Sequence, residues 1–293
     1  MKRIGLFPGE RCESPKRNLS FDLFAALAAY LAMMLGQSVL SLCLSRALPH
    51  LAGTISLFGA SLVWIPIFFI SLRIGGLRPA ALYLSGEKAP RRLLCGLFIG
   101  IAMLAVLMLL LLSLGAYECV EKRLDRALYL PLLAFAFLVQ GSAEELLCRG
   151  LLMSALCARY GGRVAAFGSA LIFSLMHAAN PSVTPLGLCN VFLFGLLFSS
   201  VTQRSGSLLA ACGMHAGWNF ALSVFGVQIS GNAPRHSLLL LESRIPFLSG
   251  GGFGAEGSPI LTVFLLLLLL IPVLFPKKSR FFANSKKIGK KMA

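Results

Sequence analysis

Eight long, almost unbroken apolar stretches divide this chain, and they limit its fold more than any other feature. Each is near the ~20 residues that a helix needs to cross ~30 Å of hydrocarbon. They run from about Phe21 to Cys43, Leu51 to Leu72, Leu93 to Leu114, Leu128 to Leu156, Val164 to Ala179, Leu186 to Val201, Leu208 to Val227 and Pro259 to Phe275. In lipid every backbone polar group must be satisfied internally, so only helices or closed barrels can span. These stretches far exceed the ~10-residue alternating segments of a barrel, so helices are expected. Composition agrees: 57% of residues are hydrophobic and 13% charged, against roughly 25% charged in soluble proteins. A soluble globule of this length could not bury so much apolar side chain. The expected fold is all-α, a polytopic membrane bundle of about eight helices with its functional core in helices 4, 5 and 7.

The formal net charge of +16 has a topological reading. Eight spans put both termini on one side. That side receives 20 of the 27 Lys and Arg, the other side six, and Arg149 lies within a span. The positive-inside rule then makes both ends cytoplasmic. Basic and aromatic residues are not interleaved on any polar stretch, so nucleic acid is not an expected partner. The eight cysteines form no CxxC pair and fall mostly in apolar runs, the pattern of small buried hydrophobes rather than disulfides or zinc ligands. The first 20 residues are polar and basic, and the next apolar run is too long for an h-region, so no cleavable signal peptide is expected.

Ionisable residues within spans are costly and mark function by default. The fourth span holds Glu144, Glu145 and Arg149, the fifth ends in Phe173-Ser174-Leu175-Met176-His177, and the seventh holds His215 and Asn219. Glu145 and Arg149 are four apart, so they share a helix face and suit a structural ion pair. Glu144 points about 100° away from Glu145 and is free for another partner. His215 and Asn219, also four apart, point into one cavity. Glu144 and His177 each lie about 16 residues, or ~24 Å, from a turn at Tyr160-Gly161-Gly162, so regular helices bring them to one depth. His215 lies only ~11 Å past the cytoplasmic start of its span. Equal depths therefore need helices 4 and 5 to project or tilt, with the cavity opening toward the cytoplasm.

Glu-Glu-x-x-x-Arg, Phe-x-x-x-His and His-x-x-x-Asn on successive apolar helices resemble the CAAX-processing and bacteriocin-processing (CPBP or Abi) intramembrane proteases. Arg204-Ser205-Gly206-Ser207-Leu208 is also similar to that family's pattern, and the resemblance covers roughly Leu128 to Phe225. It implies peptide-bond hydrolysis within the bilayer. Glu144 and His177 would activate a water, and His215 and Asn219 would stabilise the oxyanion. Glu145, Arg149 and Phe173 would support them. The implied partners are the lipid bilayer and a membrane-associated protein or peptide, prenylated or C-terminally anchored.

The residues themselves suit that chemistry. A carboxylate in a dry cavity is a general base and later an acid. Neutral imidazole and amide donors stabilise a developing oxyanion. No cofactor is expected. Zn²⁺ held by Glu144, His177 and His215 is the alternative, although HExxH is absent and Asn is a poor zinc ligand. A transporter or proton relay also places Glu and His on facing helices, but no inverted repeat is visible. A non-catalytic immunity or assembly protein could share the fold.

The expected organisation is a basic cytoplasmic segment (1–20), scaffold helices 1–3 with their loops (21–127), the protease-like core (128–227), an external Gly-rich loop with the last helix (228–276) and a basic cytoplasmic tail (277–293). The first three spans read as scaffold and lipid-facing wall, Phe173 and Trp218 as cavity walls, and His50 and His236 as solvated. Glu256, in the Gly-rich loop, is a rival carboxylate.

Overall fold

The computed structural model describes residues 19–48, 55, 88–234 and 236–274. The expected second span, the basic N-terminal stretch before Leu19, His50 and the basic tail lie outside the described residues.

Helix α1 is Leu19–Ala47, α2 is Ala89–Ser113, and strand β1 is Tyr117–Lys122. A 3-10 turn at Leu124–Tyr129 leads into α3 (Leu130–Glu145), which passes through a π-helical stretch, Leu146–Leu152, into α4 (Met153–Tyr160). Then come α5 (Gly162–Met176), α6 (Pro185–Ser205), α7 (Leu208–Phe225), strand β2 (Leu239–Ser243) and α8 (Pro259–Leu274). Among the described residues, four helical stretches are long and apolar enough to cross a membrane: Ala89–Ser113, Leu124–Tyr160, Pro185–Ser205 and Leu208–Phe225. The fold is a polytopic helical membrane bundle. The fifth expected span is realised as the 15-residue α5, about 22 Å long, which falls short of ~30 Å.

The boundaries have local causes. Proline occupies the first turn of α2, α3 and α6, where its missing N–H costs nothing. Thr184 caps α6 by accepting from the Gly187 N–H at 3.0 Å. The expected hairpin turn is present. Gly161, at φ 84°, ends α4 and admits α5 without a linker.

Helices α2 and α7 are the most closely packed pair, and two glycine pairs explain it. A Cβ at Gly96 would lie 2.2 Å from Ala210 O, and one at Gly100 2.1 Å from Met214 O. Reciprocally, Gly213 meets Leu93 O at 2.1 Å and Gly217 meets Leu97 O at 2.2 Å. Two Gly-x-x-x-Gly motifs thus face each other across parallel helices, so backbones touch where lipid supplies no hydrophobic drive. This contact fixes the helix that carries His215 and Asn219.

The end opposite Gly161 is closed by loops. β1 pairs antiparallel with β2, joining the connection after α2 to the one after α7. The buried Tyr117 phenol donates to Ser249 O at 2.9 Å, and burial with nearby Glu256 pushes its pKa up. The Gly-rich segment is therefore folded rather than loose. His236 stacks on Tyr129 with ring centroids 4.1 Å apart, instead of standing in solvent. Cys148 and Cys212 are buried free thiols, as the composition suggested. Cys43, Cys95, Cys119 and Cys189 are exposed, against that expectation.

Candidate active site

One cavity of about 730 Å³ is lined by Glu144, Phe173, His177, His215, Trp218 and Asn219 together. Three elements supply them. Glu144 is on α3, Phe173 on α5 with His177 as its C-terminal cap, and the other three are on α7.

Glu145 and Arg149 pair at 2.9 Å and are fully buried. The Arg149 guanidinium also donates to Gly195 O at 2.9 Å and lies over the Phe173 ring at 4.4 Å. The ion pair has a further role that spacing did not reveal. The His215 Nδ1–H donates to Glu145 Oε1 at 3.1 Å. Glu145 is therefore shared between Arg149 on its own helix and His215 on α7. Phe198 stacks on the His215 ring, with centroids 5.2 Å apart and planes 14° apart. Ring position and tautomer are both set.

Two expectations change here. The proton on His215 Nδ1 is spent on Glu145, so a neutral ring offers a lone pair at Nε2. Nε2 donates only when His215 is doubly protonated. The direct Glu145–His215 bond also brings the two helices to one depth without appeal to regular geometry. The π-helical stretch interrupts the α3–α4 helix just below Glu145 and advances less per residue there, so the regular rise does not apply.

Glu144 turns away from Glu145, as its position on the helix required. Gln140, one turn earlier, donates from Nε2 to Glu144 Oε1. Glu144 Oε2 is buried and has no hydrogen-bond partner among the described residues. It lies 3.8 Å from His215 Nε2. The His177 Nδ1–H donates to Phe173 O at 2.9 Å, leaving Nε2 as the nitrogen available to the cavity. Asn219 Nδ2 donates one N–H to Gln140 Oε1 at 3.1 Å and keeps a second.

Glu256 does not compete as a free carboxylate. Oε1 accepts from Trp218 Nε1 at 3.0 Å, and Oε2 accepts from the Ser230 N–H at 2.5 Å and its hydroxyl at 2.7 Å. It fastens the Gly-rich segment to α7. Ile229, Ser230, Asn232, Ala233 and Pro234 line the cavity, as do Tyr30, Gln37, Ser41 and Ser45 of α1. The first helix is thus a polar cavity wall as well as scaffold, and Tyr30 donates to Met176 O at 2.7 Å. Nothing in the sequence signalled Tyr30. Gln140 was legible, because it stands one helical turn from Glu144.

The cavity extends away from Gly161, not toward it. Beyond Glu144 and His215 on the Gly161 side, Met153, Cys157, Ala165, Ser199, Thr202 and Gln203 are all buried. The expected opening at the end carrying the Gly161 turn is closed by this packing.

These features define a polytopic helical membrane protein built around a buried cluster of carboxylate and imidazole groups. Over residues 126–221 the sequence matches the Rce1-like family model, described as type II CAAX prenyl endopeptidase Rce1-like. The matched segment is about a third of the chain and contains every residue from Gln140 to Asn219 discussed above. No curated protein matches the chain.

Proposed function

We propose that this protein is an intramembrane endopeptidase that hydrolyses a peptide bond of a membrane-associated protein or peptide. The observation that carries the reading is Glu144 Oε2, buried in the cavity, without a hydrogen-bond partner among the described residues, and facing His215 Nε2 at 3.8 Å. An unpaired buried carboxylate oxygen is costly, and a bound water would satisfy it.

In this mechanism Glu144 Oε2 takes a proton from the water as its oxygen attacks the carbonyl carbon. His177 Nε2 accepts the water's other hydrogen and holds the nucleophile in place. The tetrahedral oxyanion is met by the free N–H of Asn219 and by Nε2–H of doubly protonated His215. The carbon–nitrogen bond breaks as Glu144 returns its proton to the leaving amine. One water is consumed, and a carboxylic acid and an amine are released. Glu145, anchored by Arg149, holds His215 in orientation, and Phe173 walls the cavity beneath both histidines.

The chemistry proposed is metal-independent. No group of three His, Cys, Asp or Glu among the described residues is arranged to hold an ion. The family description, a CAAX prenyl endopeptidase, supports a protein with a prenylated C-terminal segment as substrate.

The test compares membrane-protein termini by mass spectrometry between wild-type and Glu144→Gln cells. Gln keeps the shape and loses the base. New termini should vanish in the variant while its membrane insertion and thermal midpoint stay at wild-type values. Unchanged termini would remove Glu144 from the catalytic role.

A further inference from the structure

Glu144 and Asn219 come from different helices, yet one side chain touches both. Gln140 stands one turn from Glu144 on α3 and opposite Asn219 on the antiparallel α7. The geometry points to Gln140 as a positioning residue that sets the orientation of both the general base and the oxyanion amide. This inference rests on the mechanism proposed above and extends it to a side chain outside the Glu-Glu-x-x-x-Arg, Phe-x-x-x-His and His-x-x-x-Asn motifs.

The hydrogen bonds have only one consistent direction. An ionised carboxylate is acceptor-only, so Gln140 must turn its amide nitrogen toward Glu144. That leaves its carbonyl oxygen facing α7, where it accepts from Asn219 Nδ2. The Asn219 amide is thereby fixed with its nitrogen toward Gln140, and its second N–H remains for the cavity. On the other side, Glu144 Oε1 is occupied by Gln140, so Oε2 is the oxygen presented to water. Gln140 is half-buried on the cavity wall, with no other hydrogen-bond partner described. Packing alone would favour an apolar side chain of equal size there. Glu145 fixes His215 one rung below. The two cross-helix contacts, Gln140–Asn219 and Glu145–His215, hold the reacting side chains Glu144, His215 and Asn219 in register.

The test uses the full-length protein in lipid nanodiscs with an internally quenched farnesylated peptide ending in a CAAX box. Gln140→Met keeps length and bulk but removes both hydrogen bonds. We expect kcat to fall about 10–100-fold, the scale of a small misplacement of reacting groups. KM should stay within about twofold, because ground-state binding is untouched. Gln140→Glu keeps the oxygen facing Asn219 but cannot donate to an ionised Glu144, and it should lose activity to a similar degree. The carboxylate stretching band assigned to Glu144, from the infrared difference between wild type and Glu144→Gln, should shift in Gln140→Met. Wild-type kcat in both variants, or an unmoved Glu144 band, would overturn the assignment. A wild-type protein that leaves the peptide uncut counts against the activity reading alone, and the infrared band, recorded without substrate, still decides the role of Gln140.

Discussion

Glu145 is the residue whose position along the helix told least about its role. Its pairing with Arg149 follows from an i,i+4 spacing, and a pair of that kind is ordinary. The bond to His215 requires knowing that α7 lies against α3. This changes what substitution should do. Arg149→Leu leaves a buried charge without its cation, which costs about 3–5 kcal/mol, so folded yield in detergent should drop sharply. The double change Glu145→Leu with Arg149→Leu removes both charges and should regain much of that yield. It should not regain cleavage, because His215 then has no partner for Nδ1. A double variant as active as wild type would remove Glu145 from the site. His215→Ala and Asn219→Ala should each lower kcat by about 10²–10³. Because the two share one oxyanion, the combined loss should fall well short of their product. Strict multiplication of the two losses, measured by single-turnover kinetics, would place them in separate roles.

Among the elements, the pairing of α2 with α7 is the one most exposed to a single methyl group. At Gly96 a Cβ meets a backbone carbonyl at 2.2 Å, and backbone cannot rotate away. Gly96→Ala should therefore separate the helices and lower the thermal midpoint, a cost of about 1–3 kcal/mol or more for overpacking. Gly168 offers the contrast. Its nearest neighbour is the flexible end of Leu156 at 3.0 Å. Gly168→Ala should be neutral, or stabilising by up to ~1 kcal/mol through helix propensity. Thermal scanning of the two purified variants measures the difference, and equal midpoints would show that the close approach is not limiting. The two Gly-x-x-x-Gly spacings, Gly96 to Gly100 and Gly213 to Gly217, were present in the sequence. That they face each other was not, because nothing along the chain says which of several apolar helices are neighbours.

For the whole molecule, charge bias and cavity direction combine into a testable orientation. The ends of the bundle near Gly161 and Gly206 carry Lys88, Arg91, Arg92, Arg159, Arg163 and Arg204. We propose, from the positive-inside rule, that this end faces the cytoplasm. The β1–β2 sheet and the cavity then face the other side. Cys119 is an exposed thiol on β1. In a variant whose other cysteines are replaced by serine, a membrane-impermeant maleimide should label it in intact cells stripped of any outer barrier, and adding Cys119→Ser should abolish the signal. Labelling that appears only after lysis would reverse the orientation and turn the cavity to the cytoplasm.

Hydropathy determined the membrane class and most helix positions, because each span must satisfy its own backbone and leaves a continuous apolar run. Helical spacing determined which polar residues share a face, and so selected Glu144, His177, His215 and Asn219, all of which line one cavity. Tertiary structure alone decided the rest. The sharing of Glu145 between Arg149 and His215, the bridge from Gln140 to Asn219, and the closure of the Gly161 end all join residues about 40 to 80 positions apart. The Gly-rich segment read as a loose loop because local propensity contains no term for Glu256 reaching Trp218 and Ser230. Those contacts depend on the packing of α3 against α7 and of α7 against α2, where backbone approach at four glycines fixes which side chains can meet.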